Sequence, residues 1–413
     1  MNVTFSSFAP VGCVNAPASK SAAHRMLILA SLADGESTVK MNTGSEDIDA
    51  TVRCLRQLGA EITQQNGLWT IRPIKKAPEA ATLDCGESGS TLRFLLPVAA
   101  ALGVSAVFTG HGRLPERPMA PLLNALKENG VLVEDGFPIR ISGKLNSGTF
   151  TLPGNVSSQF FTGLILALTR AARQSVIRVT PPVESESYMR LTLEALHRFC
   201  VEAEENDHTY TVRPSLPKHG AFDVEGDWSN AAALLCLGAG VSGLCLDSTQ
   251  GDRKIIDVLA DLGAKIMIWN GTVQADLSDL HAAEINAADI PDLVPVLAAL
   301  AATANGATRI TGAARLRLKE SDRIESVVQM LKSLGAEAGA LPDGLWVEGR
   351  RCLPGGTVDA CGDHRIAMAA AICAPGCEGP VTVRGAEATE KSYSGFWKDY
   401  VNLGGCLTWE EEP

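Results

Sequence analysis

Several short stretches of this chain gather cations, carboxylates and hydroxyls at spacings suited to holding phosphate. Ser19-Lys20-Ser21 is followed by His24 and Arg25, so Ser21 and Arg25 share one face of a helix that begins at Lys20. Gly86-Glu87-Ser88-Gly89-Ser90-Thr91-Leu92-Arg93 is a glycine-rich turn into an apolar run, where bare backbone N–H groups can approach an anion. Glu116-Arg117-Pro118-Met119 opens an amphipathic pattern, with Pro118 predicted in the first helical turn. Ser157-Ser158-Gln159 and Ser185-Glu186-Ser187-Tyr188 also stand where helices are expected to begin. So do Asp292, Lys319-Glu320-Ser321-Asp322-Arg323, Gly362-Asp363-His364-Arg365 and Glu390-Lys391-Ser392 in the second half.

Taken singly, each stretch is a helix cap or a solvated charge. Their recurrence carries more. Helix N-termini present partial positive charge and unbonded N–H donors, so several pooled together trap anions. With Lys20, Arg25, Arg117, Arg323, Arg365 and Lys391 added, the expected ligands carry several negative charges, as phosphates and carboxylates do.

The elements that position these residues repeat along the chain. Leu58-Gly59-Ala60, Leu262-Gly263-Ala264, Leu334-Gly335-Ala336 and Leu403-Gly404-Gly405 each close an amphipathic run, with weaker copies at Asn129-Gly130-Val131 and Phe199-Cys200-Val201. The spacing is roughly 70 residues, giving about six repeats. Each repeat reads as a helix apolar all round, a short β-rich run, an amphipathic helix and a hairpin. The β-rich run of the fourth repeat is predicted at Leu244–Ser248, and Asn66-Gly67 marks the turn of the first hairpin. The fold class is α/β. A chain of 413 residues exceeds the usual single core, so two similar domains of three repeats each are expected, 14–224 and 1–13 with 225–413.

Composition narrows the function classes. A formal charge of −11 argues against a nucleic-acid or anionic-membrane binder. No apolar run reaches membrane-spanning length, and no secretory signal is expected, so the predicted location is cytoplasmic. The eleven cysteines include no Cys-x-x-Cys pair and read as reduced thiols rather than metal ligands. Trp228, Trp269 and Trp346 read as structural, and Glu46, Asp47 and Asp49 as the acidic start of a helix.

On Ser19-Lys20-Ser21 with Arg25, Arg117-Pro118-Met119, Ser157-Ser158-Gln159-Phe160, Lys319-Glu320-Ser321-Asp322-Arg323 and Gly362-Asp363-His364-Arg365, in that order, the chain closely resembles the 5-enolpyruvylshikimate-3-phosphate synthase family of enolpyruvyl transferases. The resemblance runs from Pro17 to the last helix. It implies two domains of three β/α repeats with buried helices and outer sheets, an inside-out α/β barrel in each, and an active site in the cleft between them. It implies transfer of the enolpyruvyl group of phosphoenolpyruvate to the 5-hydroxyl of shikimate 3-phosphate, without metal or organic cofactor, in a monomer. Asp292 is then the base at the hydroxyl, and Lys20 and Glu320 handle the other protons. The resemblance assigns shikimate 3-phosphate to Lys20, Ser21, Arg25, Ser157, Ser158, Gln159, Ser185, Tyr188, Asp292, Arg315 and Lys319. It assigns phosphoenolpyruvate to Lys20, Gly89, Arg117, Gln159, Arg323, Arg365 and Lys391. Neighbouring cations are expected to hold Lys20 near neutrality.

The chain departs from the family pattern at Glu87, where Asn is frequent, at Phe94, where proline is common, and at Arg315, where Asn is frequent. Glyphosate occupies the phosphoenolpyruvate site in the family the chain resembles, and Gly89 leaves room for it, so the resemblance implies sensitivity. A uridine-diphosphate-sugar acceptor is disfavoured, because Gly110-His111-Gly112-Arg113-Leu114-Pro115-Glu116 has no loop cysteine. A phosphate cyclase would use a nucleotide-accepting His, whereas His364 reads as a neighbour of Arg365. A silent repeat scaffold has no need of matching charges at its helix ends.

Overall fold

The structure is a computed structural model that describes residues 1–134 and 136–410; position 135 and positions 411–413 of the expected domains lie outside it. The chain forms two compact units, Lys20–Val224 in one and Met1–Ser19 with the chain from Glu225 onward in the other. In Lys20–Val224 the helices are α1 (Lys20–Leu32), α2 (Glu46–Gln57), α3 (Gly89–Leu102), α4 (Ala120–Glu128), α5 (Ser158–Leu168) and α6 (Glu186–Arg198). The other unit has α7 (Trp228–Cys236), α8 (Ile255–Asp261), α9 (Val294–Ala301), α10 (Arg323–Ser333), α11 (His364–Cys373) and α12 (Phe396–Asn402).

The odd-numbered helices are the apolar ones, and they are buried: every residue of α9 and of α11 is shut from solvent. Rich in Ala and Leu, they suit the helix and expose no polar side chain that needs water. Each fully buried Leu, Ile or Phe contributes about 1.5–3 kcal/mol. The even-numbered helices bury one face; α2 packs Ile48, Val52 and Leu55 inward and leaves Arg53 and Arg56 exposed.

Among the described residues the strands form six four-stranded sheets of one topology. In the second repeat, Ala80–Asp84 runs parallel to Ser105–Thr109 around α3, and the hairpin Val131–Glu134 with Ile139–Gly143 extends the sheet antiparallel. The first hairpin turns at Asn66-Gly67, whose φ values of 51° and 76° are those of a type I′ turn.

Two of these sheets are completed by distant segments. Ala221–Asp223 pairs parallel with Ser37–Lys40, and Cys13–Asn15 pairs parallel with Gly240–Ser242. Residues 14–19, expected with the N-terminal repeats, therefore belong to the other unit, because their strand supplies the opening edge of its fourth-repeat sheet. The strand expected at Leu244–Ser248 is also displaced, to Gly240–Ser242. Side-chain bonds hold the later segment as a loop: Trp228 Nε1 donates to the Cys245 carbonyl at 3.0 Å, and Ser248 Oγ to Glu225 Oε1 at 2.9 Å.

One packing contact bears on the site. A Cβ added at Gly163 of α5 would lie 2.1 Å from the Arg93 carbonyl of α3, so the missing side chain lets the two helices touch. That approach fixes Arg93 against α5.

Candidate active site

In Lys20–Val224, the three buried helices begin side by side. Lys20 opens α1, Gly89 and Ser90 open α3, and Ser158 and Gln159 open α5. Gln159 Nε2 donates to Ser90 Oγ at 2.9 Å, while its Oε1 accepts from Arg93 Nη1 at 2.7 Å. Arg93 Nη2 donates to the Pro118 carbonyl at 3.1 Å, next to Arg117. A Cβ on Gly89 would sit 2.7 Å from Arg117 Nη1, which shows how closely that guanidinium lies over the turn. Ser88 caps α3 by accepting from Thr91 N, and Ser157 caps α5 by accepting from Gln159 N.

Arg25 is buried one turn into α1. It donates from Nε to Thr192 Oγ1 at 2.9 Å, from Nη1 to the Ser21 carbonyl at 2.6 Å, and from Nη2 to Thr162 Oγ1 at 3.1 Å and the Tyr188 carbonyl at 3.0 Å. Phe94, the departure from the family's proline, lies under this guanidinium at 5.3 Å. His24 shares a hydrogen bond with Thr51 at 2.8 Å. Burial, with Lys20 and Arg25 nearby, pulls its pKa down to about 3, so it is a neutral ring.

The other unit repeats the arrangement with more charge. Arg323 is buried among three carboxylates: Nε donates to Asp363 Oδ2 at 2.7 Å, Nη1 to Asp292 Oδ1 at 2.7 Å, and Nη2 to Glu320 Oε2 at 2.5 Å. Lys319 Nζ reaches Asp292 Oδ1 at 3.3 Å. Arg365 donates to the Asp292 carbonyl at 3.0 Å and to Ser229 Oγ at 2.6 Å, joining the starts of α11, α9 and α7. Lys391 Nζ donates to the Gly362 carbonyl at 2.7 Å, and Arg315 Nη2 to the Ala288 carbonyl at 2.8 Å. Burial works to raise the Asp292 pKa, but Lys319, Arg365 and Arg323 hold it well below the usual carboxylate range. Burial likewise opposes protonated Arg323, yet Asp363, Glu320 and Asp292 together raise its pKa. The result is an ionised carboxylate ringed by cations, with a second carboxylate on the same guanidinium.

Several expectations change. Lys20, expected among cations, has the Asp47 carboxylate 3.0 Å away. The acidic start of α2 is capped by Ser45, which leaves Asp47 to turn toward Lys20. Pro118 lies outside α4, which begins at Ala120 with Pro121 in its first turn. Arg93 and Asp47 in the first unit and Asp363 in the other orient candidate site residues within their own units, but are not among the predicted site residues. Arg93 and Asp363 stood in the motifs quoted above, yet only the fold shows which side chains they orient. Among the described residues, no cluster of three His, Cys, Asp or Glu side chains is placed to hold a metal, and no helix is long and apolar enough to cross a membrane.

Comparison with known proteins gives a consistent match. The model of the EPSP synthase (3-phosphoshikimate 1-carboxyvinyltransferase) family matches residues 9–400. A 3-phosphoshikimate 1-carboxyvinyltransferase of Clostridium novyi (strain NT) is 40% identical over 96% of each chain. One of Clostridium kluyveri is 41% identical over 95% of each. Among solved structures, an EPSP synthase from Acinetobacter baumannii superposes with a TM-score of 0.81 at 26% identity, covering 99% of this chain and 100% of that one. The enolpyruvyl transferase NikO from Streptomyces tendae shares the fold, with a TM-score of 0.79 at 17% identity over 100% of this chain and 99% of that one.

Proposed function

The chain belongs to the EPSP synthase family, and we propose that it transfers the enolpyruvyl group of phosphoenolpyruvate to the 5-hydroxyl of shikimate 3-phosphate, with release of inorganic phosphate. The observation that carries this reading is Asp292, an ionised carboxylate among Lys319, Arg323 and Arg365. Such a group can accept a hydroxyl proton while its cations take up the charges of an arriving phosphate and carboxylate.

In this reading each unit is an inside-out α/β barrel, and both sets of helix ends take part in binding the two substrates. Ser21, Arg25, Ser157, Ser158, Gln159, Ser185 and Tyr188 hold shikimate 3-phosphate, with Arg315 and Lys319 assisting. Gly89, Arg117, Gln159, Arg323, Arg365 and Lys391 hold phosphoenolpyruvate. Arg25 already spends four of its N–H groups within its own unit, so its part is largely to set Ser21 and Tyr188.

The steps balance as an addition and an elimination. Asp292 takes the proton of the 5-hydroxyl as the oxygen attacks C2 of phosphoenolpyruvate. Lys20 or Glu320 delivers a proton to the methylene C3, which becomes a methyl group, and C2 becomes tetrahedral. A base at the same place then removes a methyl proton, the C2–C3 double bond re-forms, and the C2–O bond to phosphate breaks. No metal or organic cofactor enters these steps. We place the protein in the cytoplasm, a reading that its eleven free cysteines suit, and take it to act as a monomer.

The test is phosphate release on mixing purified protein with the two substrates, beside Lys20→Met. Release that requires both substrates and falls at least about a hundredfold in the variant is expected. Release from phosphoenolpyruvate alone, or none from folded protein, overturns the reading.

A further inference from the structure

The turn into α3 carries a carboxylate to which the reaction so far gives no task. Glu87 lies two residues before Gly89, in the turn that Ser88 N closes by donating to the Cys85 carbonyl at 2.9 Å. A negative charge in a turn that is to receive a phosphate or carboxylate repels the ligand. The side chain must then contribute something that offsets the repulsion.

Glu87 lies against the loop that carries Arg117. That loop crosses the turn closely: Cys85 N donates to the Thr109 carbonyl at 2.9 Å, and His111 N to the Gly86 carbonyl at 3.0 Å. A Cβ on Gly110 would lie 2.6 Å from the same Gly86 oxygen, so the crossing leaves no room for a side chain there. At Gly112 the empty side-chain position is taken by Glu87. A Cβ built on Gly112 would collide with Glu87 Oε1 and Cδ and would stand 3.0 Å from its Cγ. The φ of 59° at Gly112 is one that glycine adopts without strain. Beyond Gly112 the chain enters the short helix Leu114–Glu116, where Leu114 is buried, and Arg117 N donates to the Leu114 carbonyl at 3.3 Å. The loop is thus held by Glu87 at Gly112 and by the core at Leu114, and it ends at the guanidinium that lies over Gly89.

We propose that Glu87 is a positioning residue for Arg117: its side chain reaches from the turn to Gly112 and holds the loop so that the guanidinium stays over Gly89. The inference rests on the function proposed above. Reach rather than charge then sets the effect. Gln spans the same distance without the charge, whereas Asp keeps the charge but is one methylene too short to fill the place beside Gly112.

The experiment measures kcat and KM for each substrate in the unaltered chain and in Glu87→Ala, Glu87→Asp, Glu87→Gln, Gly112→Ala and the double variant Glu87→Ala with Gly112→Ala. Glu87→Ala and Glu87→Asp are expected to raise KM for phosphoenolpyruvate about tenfold and to leave kcat and KM for shikimate 3-phosphate within about twofold. Glu87→Gln should stay within about threefold of the unaltered chain. Gly112→Ala should raise the same KM, because its Cβ displaces Glu87. The double variant should lose less than the product of the two single losses, since the two side chains no longer compete for one place. The inference is overturned by an unchanged KM in Glu87→Ala, by equal rises for both substrates, by a fall in kcat alone, or by Glu87→Asp retaining the affinity that Glu87→Gln loses. Each of these is read while the unaltered chain still turns over. No turnover by the unaltered chain overturns the proposed function and this inference with it.

Discussion

Arg323 and Asp363 are bonded twice, Nε to Oδ2 at 2.7 Å and Nη2 to Oδ1 at 3.3 Å, with both side chains shut away from solvent. This fork fixes the plane of the guanidinium. Nη1 is then aimed at Asp292 and Nη2 at Glu320, so one buried arginine sets the places of both carboxylates to which proton transfers are assigned. Asp363 also caps α11 by accepting from Arg365 N at 3.0 Å, which ties a second cation to the same frame.

Removing that frame should cost both stability and rate. Arg323→Met leaves Asp363 and Asp292 buried beside one another without their shared cation. Breaking a buried pair in this way costs about 3–5 kcal/mol. Urea unfolding should show that loss, and phosphate release should fall with it. A variant as stable as the unaltered chain would mean that the carboxylates are protonated or otherwise paired.

The space at Gly89 is expected to set affinity for phosphoenolpyruvate. The Cβ of Gly89→Ala would meet Arg117 Nη1 at 2.7 Å and Gln159 Oε1 at 3.6 Å, so Arg117 must shift. KM for phosphoenolpyruvate should rise about tenfold or more, with shikimate 3-phosphate little affected. Glyphosate should inhibit the unaltered chain and inhibit this variant far less. Equal inhibition of both would show that the inhibitor does not lie against the turn.

Arg93 should act through Gln159. Arg93→Lys cannot span the Gln159 oxygen and the Pro118 carbonyl together, as the guanidinium does at 2.7 and 3.1 Å. KM for both substrates is expected to rise about fivefold to tenfold with the melting temperature nearly unchanged. A change in kcat alone would place Arg93 in the chemistry instead.

His24 gives a pH dependence of stability. Its folded pKa of about 3 lies below the unfolded value of 6.5, so the unfolded chain binds the extra proton between these values. The stabilisation is complete above pH 6.5 and declines as pH falls toward 3, by about 2 kcal/mol on reaching pH 5. Urea unfolding at pH 7 and pH 5 should show that loss, and His24→Asn should lack it. An identical decline in the variant would assign the loss to other groups.

Much of this was legible in the sequence, and the reasons are physical. The apolar helices announced themselves because a helix with no polar face can only be buried, and α1, α3, α5, α7, α9 and α11 all are. Asn66-Gly67 fixed its turn because both positions need positive φ. Boundaries that depend on partners far along the chain were not legible. Cys13–Asn15 pairs with Gly240–Ser242, and nothing local to residues 14–19 reveals that edge. The same limit applies to charge pairing. The motif sets Lys20 close to Arg25 and so among cations, whereas Asp47 reaches it from α2.

The most direct test of the central claim is to run the reaction in deuterium oxide and examine the vinyl group of the product. Addition and elimination through a methyl group predicts deuterium in the product methylene, and none in phosphoenolpyruvate incubated without shikimate 3-phosphate. Asp292→Asn should slow both phosphate release and deuterium entry together. Phosphate released with a methylene free of deuterium would contradict the account, because C3 would never have been protonated.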